Sequence, residues 1–170
     1  MADGIPDRRA ERFPMIDTKE KSVRLRDFLR KEDVHLGLSG ATQAEVMQEL
    51  AASLGLDAAH CSALLKGLQR RESMESTALG HGVAVPHCRS SSLGQLRVAF
   101  GRPQQGVAWG AADREPVRYV FLLVAPHVSP EYLPVLAKIA HLANNPDFRH
   151  RLDELQSADE FFQLLADAGV

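Results

Sequence analysis

The run "YVFLLVAP", Tyr119 to Pro126, constrains the fold of this chain more than any other stretch. It is apolar without interruption from Tyr119 to Ala125, too short for a helix of ordinary length, and rich in residues that suit a pleated strand. A strand with no polar alternation has no face to give to water, so the sheet that holds it must be covered on both sides. The rest of the chain therefore has to supply two layers of helix.

Both layers are legible. Thr42 and Glu45 form a T-x-x-E capping box ahead of an apolar stripe, Val46, Met47, Leu50, Ala51 and Leu54, and Gly55 closes that helix. A second helix opens after Asp57, buries Cys61, Leu64, Leu65 and Leu68, and ends near "QRRES". Beyond the apolar run, Ser129 and Pro130 read as the N-cap and first residue of a helix whose stripe is Leu133, Leu136, Ile139, Ala140 and Ala143. Asn145-Pro146 starts another helix carrying Phe148, Leu152 and Leu155, and Ser157 with Glu160 opens a last one that buries Phe161, Phe162, Leu164 and Leu165.

Between the two sets of helices, "GVAVPH", "LRVAFG" and "GVAW" read as strands, and "DVHLGL" as an earlier one preceded by a short helix through Val23, Leu25, Phe28 and Leu29. The predicted fold is an α/β (α+β) layered sandwich, a central mixed β-sheet flanked by helices on both faces. Residues 1–21 are rich in charge and poor in apolar side chains and read as a mobile N-terminal extension; residues 22–170 read as a single domain.

Composition narrows the function. A net charge of −2 with acids and bases interspersed provides no basic field for nucleic acid or an anionic membrane. No apolar run approaches the roughly 20 residues needed to cross a bilayer, and the N-terminus is unlike a signal peptide, so a cytoplasmic location is expected. Two cysteines, Cys61 and Cys88, are no disulfide framework, and reduced thiols are expected.

The chemistry concentrates in "STALGHGVAVPHCR", Ser76 to Arg89. Pro86 fixes its own φ and has no N–H, so it is expected to end strand pairing and to hold His87 on a stiff post aimed away from the sheet. Gly80 and Gly82 permit close approach of another backbone or a bulky partner, and allow turns that larger residues would resist. A neutral imidazole offers a nucleophilic nitrogen, and phosphoryl transfer is one chemistry open to it. Arg71, at the end of the preceding helix, carries a planar, permanently charged fork that suits phosphoryl oxygens.

Over "RRESMESTALGHGVAVPHCR" the order and spacing resemble the signature of the enzyme IIA proteins of the bacterial phosphoenolpyruvate-dependent phosphotransferase system, fructose/mannitol class. In that signature an arginine-glutamate pair precedes Ser-Thr, a spaced Gly-x-Gly and an Ile/Val-Pro-His ending. The strand "FLLVAP" and a closing L-x-S-x-x-E-x-x-x-x-L from Leu155 to Leu165 extend the similarity from Ser22 to Ala166. The resemblance implies that His87 accepts a phosphoryl group from a histidine-phosphorylated carrier protein, that Arg71 steadies it, and that Ser76 and Thr77 sit at the site's edge. It implies no cofactor and no metal. An apolar rim for the partner is expected around His87, with Val83, Val85 and Leu79 as candidates.

The chain departs from the family pattern where many members have a second histidine, in the helix after the apolar strand: Tyr132 occupies that place, and His127 lies five residues earlier. Cys88 follows the active histidine where glycine is usual, and Glu75 replaces a glycine before Ser-Thr. With no IIB or membrane IIC unit in the sequence, the resemblance points to the nitrogen-regulatory branch, whose phosphorylation state controls other proteins. The alternatives are a sugar-specific enzyme IIA passing phosphate to a IIB component, a regulatory binding module deficient in phosphorylation, and a metal or redox module built from His81, His87 and Cys88.

Overall fold

A computed structural model describes residues 23–170, so the expected mobile extension lies outside the described residues. The apolar run forms β6, Tyr119–Ala125, and all seven of its residues are buried. It lies inside a six-stranded mixed sheet. On one side it pairs antiparallel with β5, Arg97–Pro103, which pairs parallel with β1, Val34–Leu38. On the other side it pairs parallel with two successive segments, β3 (Val83–Ala84) and β4 (His87–Arg89), and β2 (Ala78–Gly80) folds back along β3.

The helices cover both faces as the uninterrupted run requires. On one face Val46, Met47, Leu50 and Ala51 of α1 (Gln43–Ser53) and Leu64 and Leu68 of α2 (Ala58–Met74) pack on Ala84, Ala99, Val120, Leu122 and Val124. On the other, α3 (Tyr132–Asn144), α4 (Pro146–Glu154) and α5 (Ala158–Asp167) cover Val83, Val85, Phe100, Phe121 and Leu123. Phe161 stacks on Phe100 at 4.4 Å between ring centroids, a contact of the kind that adds about 0.5–1.5 kcal/mol beyond burial. The ends of the sandwich are tied by polar groups. Arg97 donates to both carboxylate oxygens of buried Asp33 at 2.7 and 2.8 Å, and Arg102 caps the C-terminal carbonyls of α4.

The capping signals place the helices well. Thr42 and Glu45 form their reciprocal box, Asp57 accepts from the His60 amide, Asn145 from Asp147 and Phe148, and Ser157 from Glu160.

Several local expectations differ. The first short helix is a single 3-10 turn, Leu25–Phe28. "GVAW" is no strand; it contributes one isolated bridge, Val107 to Val117. Helix α3 starts at Tyr132 behind Glu131, not at Pro130, and rotates its buried stripe to Tyr132, Val135, Ile139, Leu142 and Ala143, leaving Leu133 67% exposed. Pro134 then falls within the first turn, where its missing N–H breaks no helical bond. Pro86 does not end pairing: its carbonyl accepts from the Leu123 amide, and the register of β3 on β6 continues unchanged through β4.

Candidate functional site

Strand alternation sorts the residues around His87. Ala84 and Cys88 face the α1/α2 layer and Val83 and Val85 the other, which puts His87 and Arg89 on the side of α3. Because β2 runs back only beside β3, β4 has β6 as its single neighbour among the described strands, and His87 stands at an open edge. There α2 and the start of α3 converge on it. Gly67, Arg70, Arg71 and Met74 from α2, His87, Cys88 and Arg89 from β4, and Tyr132 from α3 line one shallow pocket of about 390 Å³.

The His87 ring is half-buried, and its Nδ1 lies 2.7 Å from the Val85 carbonyl oxygen. A carbonyl can only accept, so Nδ1 carries the proton and Nε2 keeps its lone pair. Burial pushes the imidazole below its ordinary pKa; the Val85 bond pulls the other way, the nearby Arg71 charge pushes down again, and Glu72 opposes it. The result is a neutral imidazole with its nucleophilic nitrogen free. Arg71 is steadied by donating from Nη1 to the Glu75 carbonyl at 2.9 Å, and it has no carboxylate partner among the described ion pairs. The structure thus brings His87 and Arg71 into one pocket with Tyr132, whose ring centroid stands 6.2 Å from that of His87 in an edge-on arrangement.

Ser76 and Thr77 lie elsewhere. The Ser76 hydroxyl donates to the Trp109 carbonyl at 2.9 Å, and Thr77, 4% exposed, donates its amide and hydroxyl to the Glu72 carboxylate at 2.8 and 2.5 Å. Trp109 Nε1 closes the network on the Thr77 oxygen at 3.4 Å. These hydroxyls pin the chain after α2 to the loop bearing Trp109 and do not reach the His87 pocket.

The two glycines form the β2–β3 turn with His81 between them, all three at positive φ, 86°, 55° and 74°. At strand rise, Gly82 is about 16 Å from His87. Asp113 fills the clearance at Gly80: its carboxylate accepts from the His81 amide at 2.8 Å, and a Cβ on Gly80 would come within 2.9 Å of it. Gly82 serves the same turn by offering its carbonyl to the amides of Arg118 and Tyr119.

His127 contributes its backbone carbonyl to Arg89, and its exposed ring makes no described contact with His87. The expected apolar rim is also built differently. Val83 and Val85 are buried in the core and Leu79 sits on the hairpin, while Met74 (77% exposed) lines the pocket and Leu133 flanks Tyr132.

Arg89 is the residue that sequence reasoning left without a role. Its guanidinium stacks 4.2 Å from the centroid of the Tyr132 ring. The signal was present in the two-residue spacing from His87, which on a strand means the same face. The metal or redox reading has no geometric support: His81 is in the hairpin turn, and Cys88 turns to the opposite face from His87. Among the described residues no cluster of three or more His, Cys, Asp or Glu is assembled to hold a metal ion. Both cysteines are free, and burial pushes the Cys88 thiol up to about 11, far from a reactive thiolate.

The fold is an open mixed sandwich that presents a neutral histidine and an arginine in one pocket at a sheet edge, and comparison with known proteins identifies the family. The chain belongs to the phosphoenolpyruvate-dependent sugar phosphotransferase system EIIA 2 family, whose model matches residues 27–168. It is 31% identical over 142 residues to a nitrogen regulatory protein of Bradyrhizobium diazoefficiens, covering 82% of this chain and 93% of that one. It is also 27% identical to a fructose-specific EIIABC component of Bacillus subtilis, covering 84% of this chain but 23% of that longer protein. Among solved structures, nitrogen regulatory protein IIA-Ntr of Neisseria meningitidis superposes with a TM-score of 0.76 at 29% identity, covering 82% of this chain and 97% of the other. No helix among the described residues is long and apolar enough to cross a membrane.

Proposed function

We propose that residues 22–170 act as one enzyme IIA unit, a cytoplasmic phosphocarrier in which His87 accepts a phosphoryl group on Nε2 from a histidine-phosphorylated carrier protein. The observation that carries this reading is the Nδ1 bond to Val85, which fixes the tautomer and leaves Nε2 as the nucleophile in a pocket with Arg71. In the transfer, the Nε2 lone pair forms a bond to phosphorus while the bond from phosphorus to the carrier's histidine nitrogen breaks, and that nitrogen keeps the electron pair. Transfer between two nitrogens asks for alignment and charge stabilisation more than proton movement. Arg71 supplies the charge, Tyr132 a hydrogen-bond donor, and Met74 and Leu133 an apolar contact for the incoming protein.

Phosphorylated and free forms would then differ in how they bind partner proteins, which is the regulatory role suggested by the similarity to nitrogen regulatory proteins over nearly their whole length. A second reading, a sugar-specific component that hands its phosphate to a IIB protein, draws on the similarity to the fructose-specific EIIABC component.

Intact mass after incubation with phosphoenolpyruvate and the upstream carrier proteins tests the acceptor. One added phosphoryl group is expected on the wild type and none on His87→Ala; an unmodified wild type, or a modified His87→Ala, would refute it. Mixing the phosphorylated protein with a fructose IIB component separates the two roles: loss of the label to IIB marks the sugar component, and its retention the regulator.

A further inference from the structure

Three hydroxyls near the sheet edge are already committed. Ser76 donates to Trp109, Thr77 to Glu72, and the Tyr119 phenol to Asp153. The Tyr132 phenol differs, for among the described residues it has no hydrogen-bond partner: the ring is largely buried and lies edge-on to His87, while the hydroxyl is open to solvent and free to donate to a group that arrives. Arg89, an exposed side chain, is also only partly engaged by protein groups. Its Nη1 donates to the carbonyls of Pro126 and His127 at 3.3 and 2.9 Å, while Nε and Nη2 have no partner and the side chain no carboxylate among the described contacts.

These contacts have a geometric consequence. Arg89 ties β4, which carries His87, to the loop that leads into α3, and its flat guanidinium lies on the ring of the first residue of that helix. A guanidinium over one face restricts the ring that stands edge-on to the imidazole, and a cation held over a ring makes the contact electrostatic as well as steric. Around the same space, Arg70 and Arg71 add positive charge from α2; among the described residues no carboxylate lines the pocket, and Glu72 acts on His87 from outside the lining.

We infer that Arg89 is a positioning residue for phosphoryl acceptance at His87 and acts through Tyr132: the guanidinium holds the ring so that the phenol donates to the phosphoryl oxygens on Nε2. This rests on the reading of His87 as the acceptor. Arg89 and Tyr132 exchange no proton and form no covalent bond; they are one donor unit, complementary to the dianion that transfer creates. The phenol stays protonated at neutral pH, because burial raises its pKa above the ordinary value despite the nearby arginines.

The test is the equilibrium constant for phosphoryl exchange with the phosphorylated carrier, read by intact mass. It is measured for the wild type, Arg89→Ala, Arg89→Lys, Tyr132→Phe and the double variant Arg89→Ala/Tyr132→Phe. Each of Arg89→Ala and Tyr132→Phe should lower the constant by about tenfold, the scale of one charge-assisted hydrogen bond. The double variant should fall no further than about twofold below the weaker single one, because residues acting as a unit are not additive. Arg89→Lys should recover only part of the loss, since an ammonium has no flat face to stack.

A spectroscopic signature accompanies this. Removing the cation should move the Tyr132 phenol titration, followed by ultraviolet absorbance, to higher pH, and the only other tyrosine, Tyr119, is raised strongly by burial and its bond to Asp153. Wild-type behaviour of Arg89→Ala, full rescue by lysine, or multiplying losses in the double variant would each overturn the inference. Circular dichroism checks that Arg89→Ala folds, and the lysine and phenylalanine variants keep the question open to refutation if it does not. A wild type that takes no phosphoryl group at all defeats the acceptor reading instead.

Discussion

His87 Nδ1 donates to the carbonyl oxygen of Val85, two residues earlier on the same edge, at 2.7 Å. The bond uses a backbone group that strand geometry places on the imidazole's own side, so the tautomer follows from the local chain path and needs no second side chain.

The first prediction concerns the ring nitrogen. Phosphorylation should fall on Nε2, and in the unmodified protein 15N-resolved NMR should find a proton on Nδ1. A phosphoryl group on Nδ1 would mean that the Val85 bond does not persist in solution.

A second prediction follows from the titration of His87. Unfolded, its pKa is about 6.5; in the fold burial lowers it, with Arg71 adding to the effect and Val85 opposing it. Below about 6.5 the unfolded chain therefore takes up the proton first, and His87 subtracts from stability as pH falls through that value and on past the folded pKa. Above it the contribution is fully present and constant. Denaturant unfolding of the wild type and His87→Gln at pH 7.5 and pH 5 should show a smaller acid-side loss in the variant. An equal loss would show that the ring is not destabilised as an imidazolium.

Arg71 should matter to the phosphorylated state more than to the fold. Replacing it with alanine removes charge-assisted hydrogen bonds worth about 1.5–3 kcal/mol, so the phosphoryl exchange constant should fall by at least about tenfold, with lysine in between. Far-UV circular dichroism should be unchanged. An alanine variant with the wild-type constant would remove Arg71 from the site.

Thr77 should show the opposite balance. Its hydroxyl donates to Glu72 and receives from Trp109 in a nearly dry setting, so Thr77→Val should destabilise by about 1–3 kcal/mol. The phosphoryl exchange constant of the folded variant should stay at the wild-type value. A lowered constant with intact stability would return Thr77 to the edge of the site, where the family resemblance puts it.

Much of this molecule is legible where one residue pattern has one physical meaning. The apolar Tyr119–Ala125 run admits only a doubly covered strand, and Thr42, Asp57, Asn145 and Ser157 each announce a helix start by a side chain that can reach its own backbone. That Arg71 and His87 share one pocket follows from the path of the chain, which turns back through β2 and β3 and brings β4 alongside the end of α2. The glycines are legible as turn formers, and both do form the turn; what their bare backbone does not tell is which group approaches, and at Gly80 it is Asp113. The partners of Ser76 and Thr77 are not legible, because a hydroxyl beside a site in sequence can bond a group far along the chain: Ser76 donates to the Trp109 carbonyl, and Thr77 donates to Glu72 and accepts from Trp109. The start of α3 was misplaced because Ser129-Pro130 satisfies the local rules two residues before the core fixes the rotation of Tyr132 and Val135.

The bare flank of β4 also has a consequence for self-association. An exposed strand margin ordinarily invites another strand to add itself, the route to runaway self-association, but here proline stands before the histidine and arginine after it, two residues that discourage such addition. At this margin the groups within reach are the side chains of His87, Arg89 and Tyr132, where an unguarded strand would present its main chain.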